Sequence, residues 1–248
     1  MNDDQKALLS MYKDIKEILE RSGITFYCHF GTALGAVRHS GFIPWDSDID
    51  LVVWERDMPE VDRILGRELD PAEYYYHIPS ADNHPHVISM EKGADGLKNR
   101  DAPFIDIFPI SDYPSGKARS IAADAMIWGD NISVFVLDRI KSPALHRSLR
   151  WTNRAFLKLA HMASGRGCGL TTIYSTQFKE YIFRKEDYGT PVMHAFEDTE
   201  IPLPQEWDRM LEHMFGDYMT PPPEGSRKGA GGFPCGAYID YAEQYGKG

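Results

Sequence analysis

The segment from His29 to Val53, HFGTALGAVRHSGFIPWDSDIDLVV, constrains this chain more than any other. It sets a Gly31-Thr32 turn, an Arg38-His39 pair and the alternating carboxylates Asp46, Asp48 and Asp50 within one short run. Side chains alternate faces along a strand, so Asp48 and Asp50 project the same way, ~7 Å apart at the backbone. Two ionised carboxylates that close repel unless a cation lies between them. Hard oxygen ligands in this pattern suit Mg2+, which keeps several waters and takes further ligands from phosphates. Asp46 lies one step earlier in the same alternation. An isolated Asp-x-Asp is more often a loop cap and an exposed strand edge. Here two companions reverse those odds: the glycine turn, and a lone Asp106 inside the apolar run PFIDIFPI (103–110). A carboxylate in such a run is costly to bury unless it is paired or binds metal.

The turn matters because Gly31-Thr32 closes the apolar strand ITFYCHF (24–30) and opens the short helix ALGAVRH. A strand-to-helix turn presents backbone N–H groups and the positive helix end to an anion. Arg38 and His39, between that turn and Asp46, are candidates for phosphate or substrate contact, since a guanidinium fork suits bidentate phosphate binding. Residues 3–22 read as an amphipathic helix capped by Asp3 or Asp4, IDLVVW (49–54) as a second strand and 57–69 as a helix. Weaker strand signals lie at 74–78 and 86–90, followed by a polar loop before the strand at 103–110. Helices are expected over 117–127, 142–164, 172–183 and 202–216, the second capped by Ser142 with Pro143 at its first position. From Tyr218 the Pro- and Gly-rich tail reads as loop. His84-Pro85-His86 reads as a surface pair more often than as a metal site.

With 248 residues, the chain is long enough for one large domain or a domain with a helical appendage. The pattern divides it into an α/β (α+β) core over 1–114 with a small mixed sheet, and a helical elaboration with the Pro/Gly-rich tail over 115–248, packed as one unit. Mean hydropathy is −0.42. No apolar run approaches the ~20 residues of a membrane span, and the acidic, polar start does not resemble a signal peptide. The expectation is a cytoplasmic protein, with at most peripheral contact at the inner face of the membrane. Three cysteines, Cys28, Cys168 and Cys235, have no Cys-x-x-Cys spacing, which argues against a zinc module or disulfide framework. A formal charge of −10 argues against nucleic acid as a partner, so an anionic substrate needs metal or a local basic patch.

One such patch is visible. From Arg139 to Lys179 there is no Asp or Glu, yet the segment holds eight Lys/Arg. On the expected 142–164 helix, Arg147, Arg150, Arg154, Lys158 and His161 recur at three- and four-residue intervals as one stripe. A solvated face is the plainer reading, but the missing acidic partners make Arg150, Arg154 and Lys158 candidates for binding the donor nucleotide or an anionic acceptor surface.

Gly-Thr, then Asp48-Ile-Asp50-Leu, then an Asp in a later strand resembles the nucleotidyltransferase superfamily of the DNA polymerase β type. The longer string GTALGAVRHSGFIPWDSDIDL is similar to the signature of the LicD/fukutin family, and IDIFP (105–109) and residues 195–223 match its other blocks. The resemblance spans roughly 8–223. It implies a phosphotransferase that moves a phospho-alcohol, usually phosphocholine, from a CDP-linked donor such as CDP-choline to a hydroxyl of a cell-surface glycan or teichoic acid precursor. It also implies that Asp48 and Asp50 hold Mg2+, one or two ions with Mn2+ as an alternative. Asp106 would complete the metal site or take the proton from the attacking hydroxyl. Alternatives are transfer of ribitol phosphate, phosphoethanolamine or aminoethylphosphonate, or a non-catalytic nucleotide-binding regulator on the same fold. Two departures stand out: Ser47 where the family usually has Asp, and glycines after Arg227-Lys228 where it often has histidines. The second bears on specificity and on a substrate role for Arg227.

Overall fold

The structure is a computed structural model and describes every residue except 141, 166–168, 175–177, 228, 230–231 and 247–248. Cys168, and with it Lys141, Arg166 and Lys228 of the basic runs, lies outside the described residues. The elements run α1 (Asp3–Arg21), β1 (Phe26–Cys28), α2 (Phe30–His39), β2 (Ile49–Trp54), α3 (Met58–Glu68), β3 (Tyr74–His77) and β4 (His86–Ser89). There follow α4 (Gly93–Asn99), β5 (Phe104–Tyr113), α5 (Lys117–Leu137), α6 (Pro143–Ser164), β6 (Leu170–Thr172), β7 (Phe183–Arg184) and α7 (Lys185–Tyr188). The chain closes with β8 (Val192–Phe196), β9 (Thr199–Leu203), α8 (Trp207–Phe215) and α9 (Gly236–Tyr245).

The main sheet is mixed. Its order is β1-β2-β5-β4-β3, with β6 on the far end of β5 and β7 beside β6. Only β2 and β5 pair in parallel among the described strands; the other ladders are antiparallel. Period-two alternation sorts the two faces. Ile49, Leu51 and Val53 of β2, Val87 of β4, and Ile105 and Ile107 of β5 point into one core, where Leu8, Tyr12, Ile15 and Leu19 of α1 and Val61 and Leu65 of α3 cover them. The intervening residues face the other way and include Asp50, Asp106 and His86. A smaller core on that side joins Val52 and Ile110 to Ile173, Phe183, Tyr188 and Met210.

Several elements differ from the expectation. The cap of α1 is Asn2, whose side chain accepts from Gln5 N while Gln5 reaches back to Asn2 N. The expected helix at 172–183 is instead strand β6, a 3-10 turn at Phe178–Tyr181 and strand β7. The β-branched Thr171, Thr172 and Ile173 fit a pleated edge, and β5 continues far enough to pair Ser111 with Thr172. The expected helix at 202–216 begins only at Trp207, because Pro202 and Leu203 belong to β9 in a hairpin with β8. The loop before β5 carries the short α4, and α5 runs ten residues past its expected end, from 127 to 137. The tail is not loop throughout. Its end forms α9, which buries Ala237 beside Phe233, Tyr75 and Phe104.

α5 also corrects the membrane-span reading, since by length and composition it is apolar enough to cross a membrane. Yet Asp130, inside it, is fully buried and accepts hydrogen bonds from Asn153 of α6 (2.6 Å) and Asn83 (3.1 Å), so that face is turned to protein. Its opposite face leaves Ile121, Trp128, Ile132 and Phe135 exposed, as α6 leaves Trp151 and Met162.

Candidate active site

The acidic strand is held in place from both ends. Gln5 of α1 donates through Nε2 to the carbonyls of Ile43 (3.2 Å) and Asp46 (3.1 Å), tying the loop before β2 to the first helix. Thr32 is buried, and its hydroxyl oxygen accepts from Asp50 N at 2.9 Å, so it acts on the site by fixing the start of the strand. Phe30 opens α2 with φ +46°, a conformation a bulky residue adopts only under constraint. At Gly31 a Cβ would lie 2.5 Å from Asp46 Oδ2, so glycine is what lets this carboxylate rest against the first turn of α2.

Register completes the cluster. Asp50 of β2 pairs with Asp106 of β5, Asp106 with His86 of β4, and His86 with His77 of β3. Asp48, Asp50 and Asp106 are all buried, and each offers a carboxylate oxygen within 4.8 Å of the others. Burial, reinforced by Asp46 and Asp106, pushes the Asp48 carboxyl up to about 9. Asp50 is raised well above the ordinary range by burial and then by Asp48 and Asp106. Asp46, half-buried, is raised by burial. Acids forced upward by burial and mutual repulsion give back that cost to a cation, so this donor set fits the divalent ion the sequence suggests.

Beyond Asp106 the chemistry changes. His84 and His86 are not a surface pair, which corrects the sequence reading: both point their Nε2 atoms at Asp106 Oδ1, each at 3.4 Å. Asp82 lies 3.8 Å from each imidazole. Burial opposes a charge on His84, but Asp82 and Asp106 outweigh it and raise the imidazole; His86 is pushed well down by burial and by His84 and His77. His77 stacks on His86 and meets Asp240 of α9 at 3.0 Å, so the tail reaches the row of site residues. The available signal was Asp82-x-His84-x-His86, the same period as Asp46-x-Asp48-x-Asp50, leading into a strand.

Asp48, Asp82, His84, His86 and Asp106 line one open cavity of about 470 Å³. Its cations are Arg100 and Arg139, which the sequence did not single out as binding residues. Arg100 is steered by Asp138 (3.2 Å) and the Gly232 carbonyl (2.9 Å), and Arg139 lies over the Phe135 ring. Arg150, Arg154 and Lys158 are not among the lining residues. The stripe also has an acidic partner that the local sequence hid: Glu243 of α9 meets Arg147 at 2.7 Å and Arg150 at 3.4 Å. His161 pairs with Glu55, and Lys158 and His161 line a different hollow. Arg38, His39 and Arg227 gather elsewhere, with Arg227 over the Trp45 ring at 4.7 Å, His39 edge-on to it, and Arg38 donating to the Tyr218 carbonyl.

Residues 23–125 match the LicD/FKTN/FKRP nucleotidyltransferase domain. The lipopolysaccharide cholinephosphotransferase LicD of Haemophilus influenzae is 25% identical over 92% of this chain and 94% of its own length. The human ribitol 5-phosphate transferase FKRP is 33% identical over 63 residues, which are 25% of this chain and 13% of that one. An uncharacterized protein of Rickettsia prowazekii is 41% identical over 63 residues, 24% of each chain, so this match spans about a quarter of that relative.

Proposed function

We propose, for a chain whose residues 23–125 form a LicD/FKTN/FKRP nucleotidyltransferase domain, a phosphotransferase that moves a phospho-alcohol from a CDP-linked donor to a glycan hydroxyl. The observation that carries this reading is the convergence of Asp48, Asp50 and Asp106 within 4.8 Å of one another, with Asp48 and Asp106 on the wall of an open cavity. The acceptor oxygen attacks the phosphorus bearing the alcohol; the new P–O bond forms as the bond to CMP breaks. Asp106 takes the proton of that hydroxyl, and CMP leaves with the electron pair of the broken bond. Asp48 and Asp50, with Asp46 behind them, would hold Mg2+ (Mn2+ as the alternative), and such a cation would supply neutralisation of the diphosphate and of the leaving CMP.

Arg100 and Arg139 are assigned to the donor's phosphates, together with the backbone at Gly31. Arg38, His39 and Arg227 form the basic rim beside the Asp46 loop. Arg154 and Lys158 are assigned to the acceptor, with Arg150 held in reserve by Glu243. The chain is assigned to the cytoplasm, where the exposed Ile121, Trp128 and Ile132 on α5 would rest against the inner face of the membrane that holds a lipid-borne acceptor. Sedimentation with anionic against neutral vesicles tests that placement, and recovery of the chain in the supernatant with both refutes it.

The two named relatives differ in the group their names give, choline phosphate in one and ribitol 5-phosphate in the other. CMP release is therefore measured against a panel of CDP-alcohols, CDP-choline and CDP-ribitol included, with and without Mg2+. Release with one donor, dependent on Mg2+, is expected. Tight nucleotide binding with no release from any donor would point instead to a regulator on the same fold.

A further inference from the structure

Asp82, His84 and His86 each offer a ligand atom within 4.8 Å of the others, and this group is separate from the Asp48–Asp50–Asp106 set. His86 is 1% exposed. His84 Nε2 and Asp106 Oδ1, 3.4 Å apart, are both buried without a hydrogen-bond partner. Orphaned polar atoms in such a place are costly, and two that face each other call for a missing partner.

The hydrogen-bond pattern says what kind. The Asn83 amide donates through its nitrogen to Asp130 Oδ2 (3.1 Å) and turns its oxygen to His84 Nδ1 (2.8 Å). An amide oxygen accepts only, so Nδ1 carries the proton. A neutral His84 ring then aims the Nε2 lone pair at the Asp106 carboxylate 3.4 Å away. Two electron pairs facing each other in a buried space need a cation between them, a metal ion or, without one, the proton that Asp82 and Asp106 favour on His84. A carbonyl or carboxylate holding the far nitrogen of an imidazole is the usual outer support of a metal-binding histidine, and Asn83 N also donates to Asp82 Oδ1 at 2.7 Å.

We propose that Asp82, His84 and His86 bind a transition-metal dication of the Zn2+ type, with Asp106 giving this ion its Oδ1 and keeping Oδ2 as the base assigned to it above. Imidazole and carboxylate donors together select that class, whereas the oxygen-only group on the other side selects Mg2+. Three protein ligands plus Asp106 close a four-coordinate shell, so this ion is structural: it pins the segment carrying Asp82 and His84 to β4 and fixes the direction of Asp106. The site rests on this cluster alone and stands whichever group the enzyme transfers.

The test uses the full chain made without a polyhistidine tag. Elemental analysis is expected to give one equivalent of Zn2+ per chain, and Co2+ added after chelator dialysis is expected to give a visible ligand-field band. His84→Ala/His86→Ala should lose both, Asn83→Leu should weaken Zn2+ binding ~10–100-fold, and Asp48→Asn/Asp50→Asn should keep both. X-ray absorption at the zinc edge of the wild-type chain needs no variant and should show two imidazoles. An all-oxygen shell, or an ion lost with Asp48 and Asp50 but kept without the histidines, overturns the proposal. So does a wild-type chain that takes up neither Zn2+ nor Co2+, in which case His84 is protonated and paired with Asp106.

Discussion

Two segments enter the same cavity with the same period and different chemistry. Asp46-x-Asp48-x-Asp50 leads into β2 with oxygen donors only; Asp82-x-His84-x-His86 leads into β4 with two imidazoles, and Asp106 stands between them on β5. Period two does the same work in both, putting alternate side chains on the face away from α1 and α3. What differs is the charge each leaves behind. The β2 group accumulates negative charge that a cation would relieve, and it is supported mainly through the backbone, by Gln5 and Thr32. The β4 group is nearer to balance and is supported through side chains, by Asn83 and Asp130. On the proposed reading, one side serves an ion that comes and goes with substrate and the other an ion that stays.

The sharpest way to break that contrast is on the oxygen side. Asp48→Asn or Asp50→Asn should lower CMP release by ~10²–10³-fold or more, the scale of losing a main source of transition-state charge stabilisation. Without metal the same variants should melt no lower than the wild type, because each removes a carboxylate that burial and its neighbours already disfavour. Steady-state turnover and a melting curve with chelator check both. Intact turnover would remove the metal assignment.

The cavity cations come next. Arg100→Ala removes a guanidinium that Asp138 and the Gly232 carbonyl aim along the cavity wall. Loss of one charge-assisted contact of about 1.5–3 kcal/mol should raise the donor KM roughly 10–100-fold. Arg154→Glu/Lys158→Glu should spare the donor KM and raise that of the acceptor. A rise in donor KM from the α6 variant alone would move the phosphate site away from the triads.

The β2 half was open to sequence reading because strand, turn and acidic alternation are local, and because Asp106 is conspicuous among Phe104, Ile105, Ile107 and Phe108. The β4 half was not. His84 and His86 look like a loop pair until β5 is laid beside β4, and the depth that makes them costly comes from α5, α9 and the sheet together. Glu243 illustrates the same limit. The stripe on α6 lacks an acid within its own segment, and its partner arrives from α9, some ninety residues on, in a tail whose glycines hid a helix. Helical period failed at 172–183 for a related reason: a long β5 supplies an edge that no local window contains.

The smallest expected effect tests the side-chain support of the β4 group. Asp130 is fully buried, and burial pushes its carboxyl up to about 7, with Asn83 opposing and Asp82 adding to the shift. A carboxyl raised above its unfolded value binds its proton more tightly when folded. Its favourable contribution is therefore whole below about pH 4 and is lost as pH rises through about 7. Asp130→Asn has no proton to lose, but Asn153 and Asn83 donate to different oxygens of Asp130, and the variant's NH2 would face one of those donors, at a cost of about 1–3 kcal/mol. With chelator present, the variant should melt below the wild type at pH 5, and the gap should narrow by pH 8. In Asp48→Asn, whose carboxyl is linked to Asp130 only across the cavity, the wild-type slope near pH 7 should persist in part. A gap that stays constant with pH would show that Asp130 is ionised throughout, and that the β4 group is held by charge in the way the β2 group is.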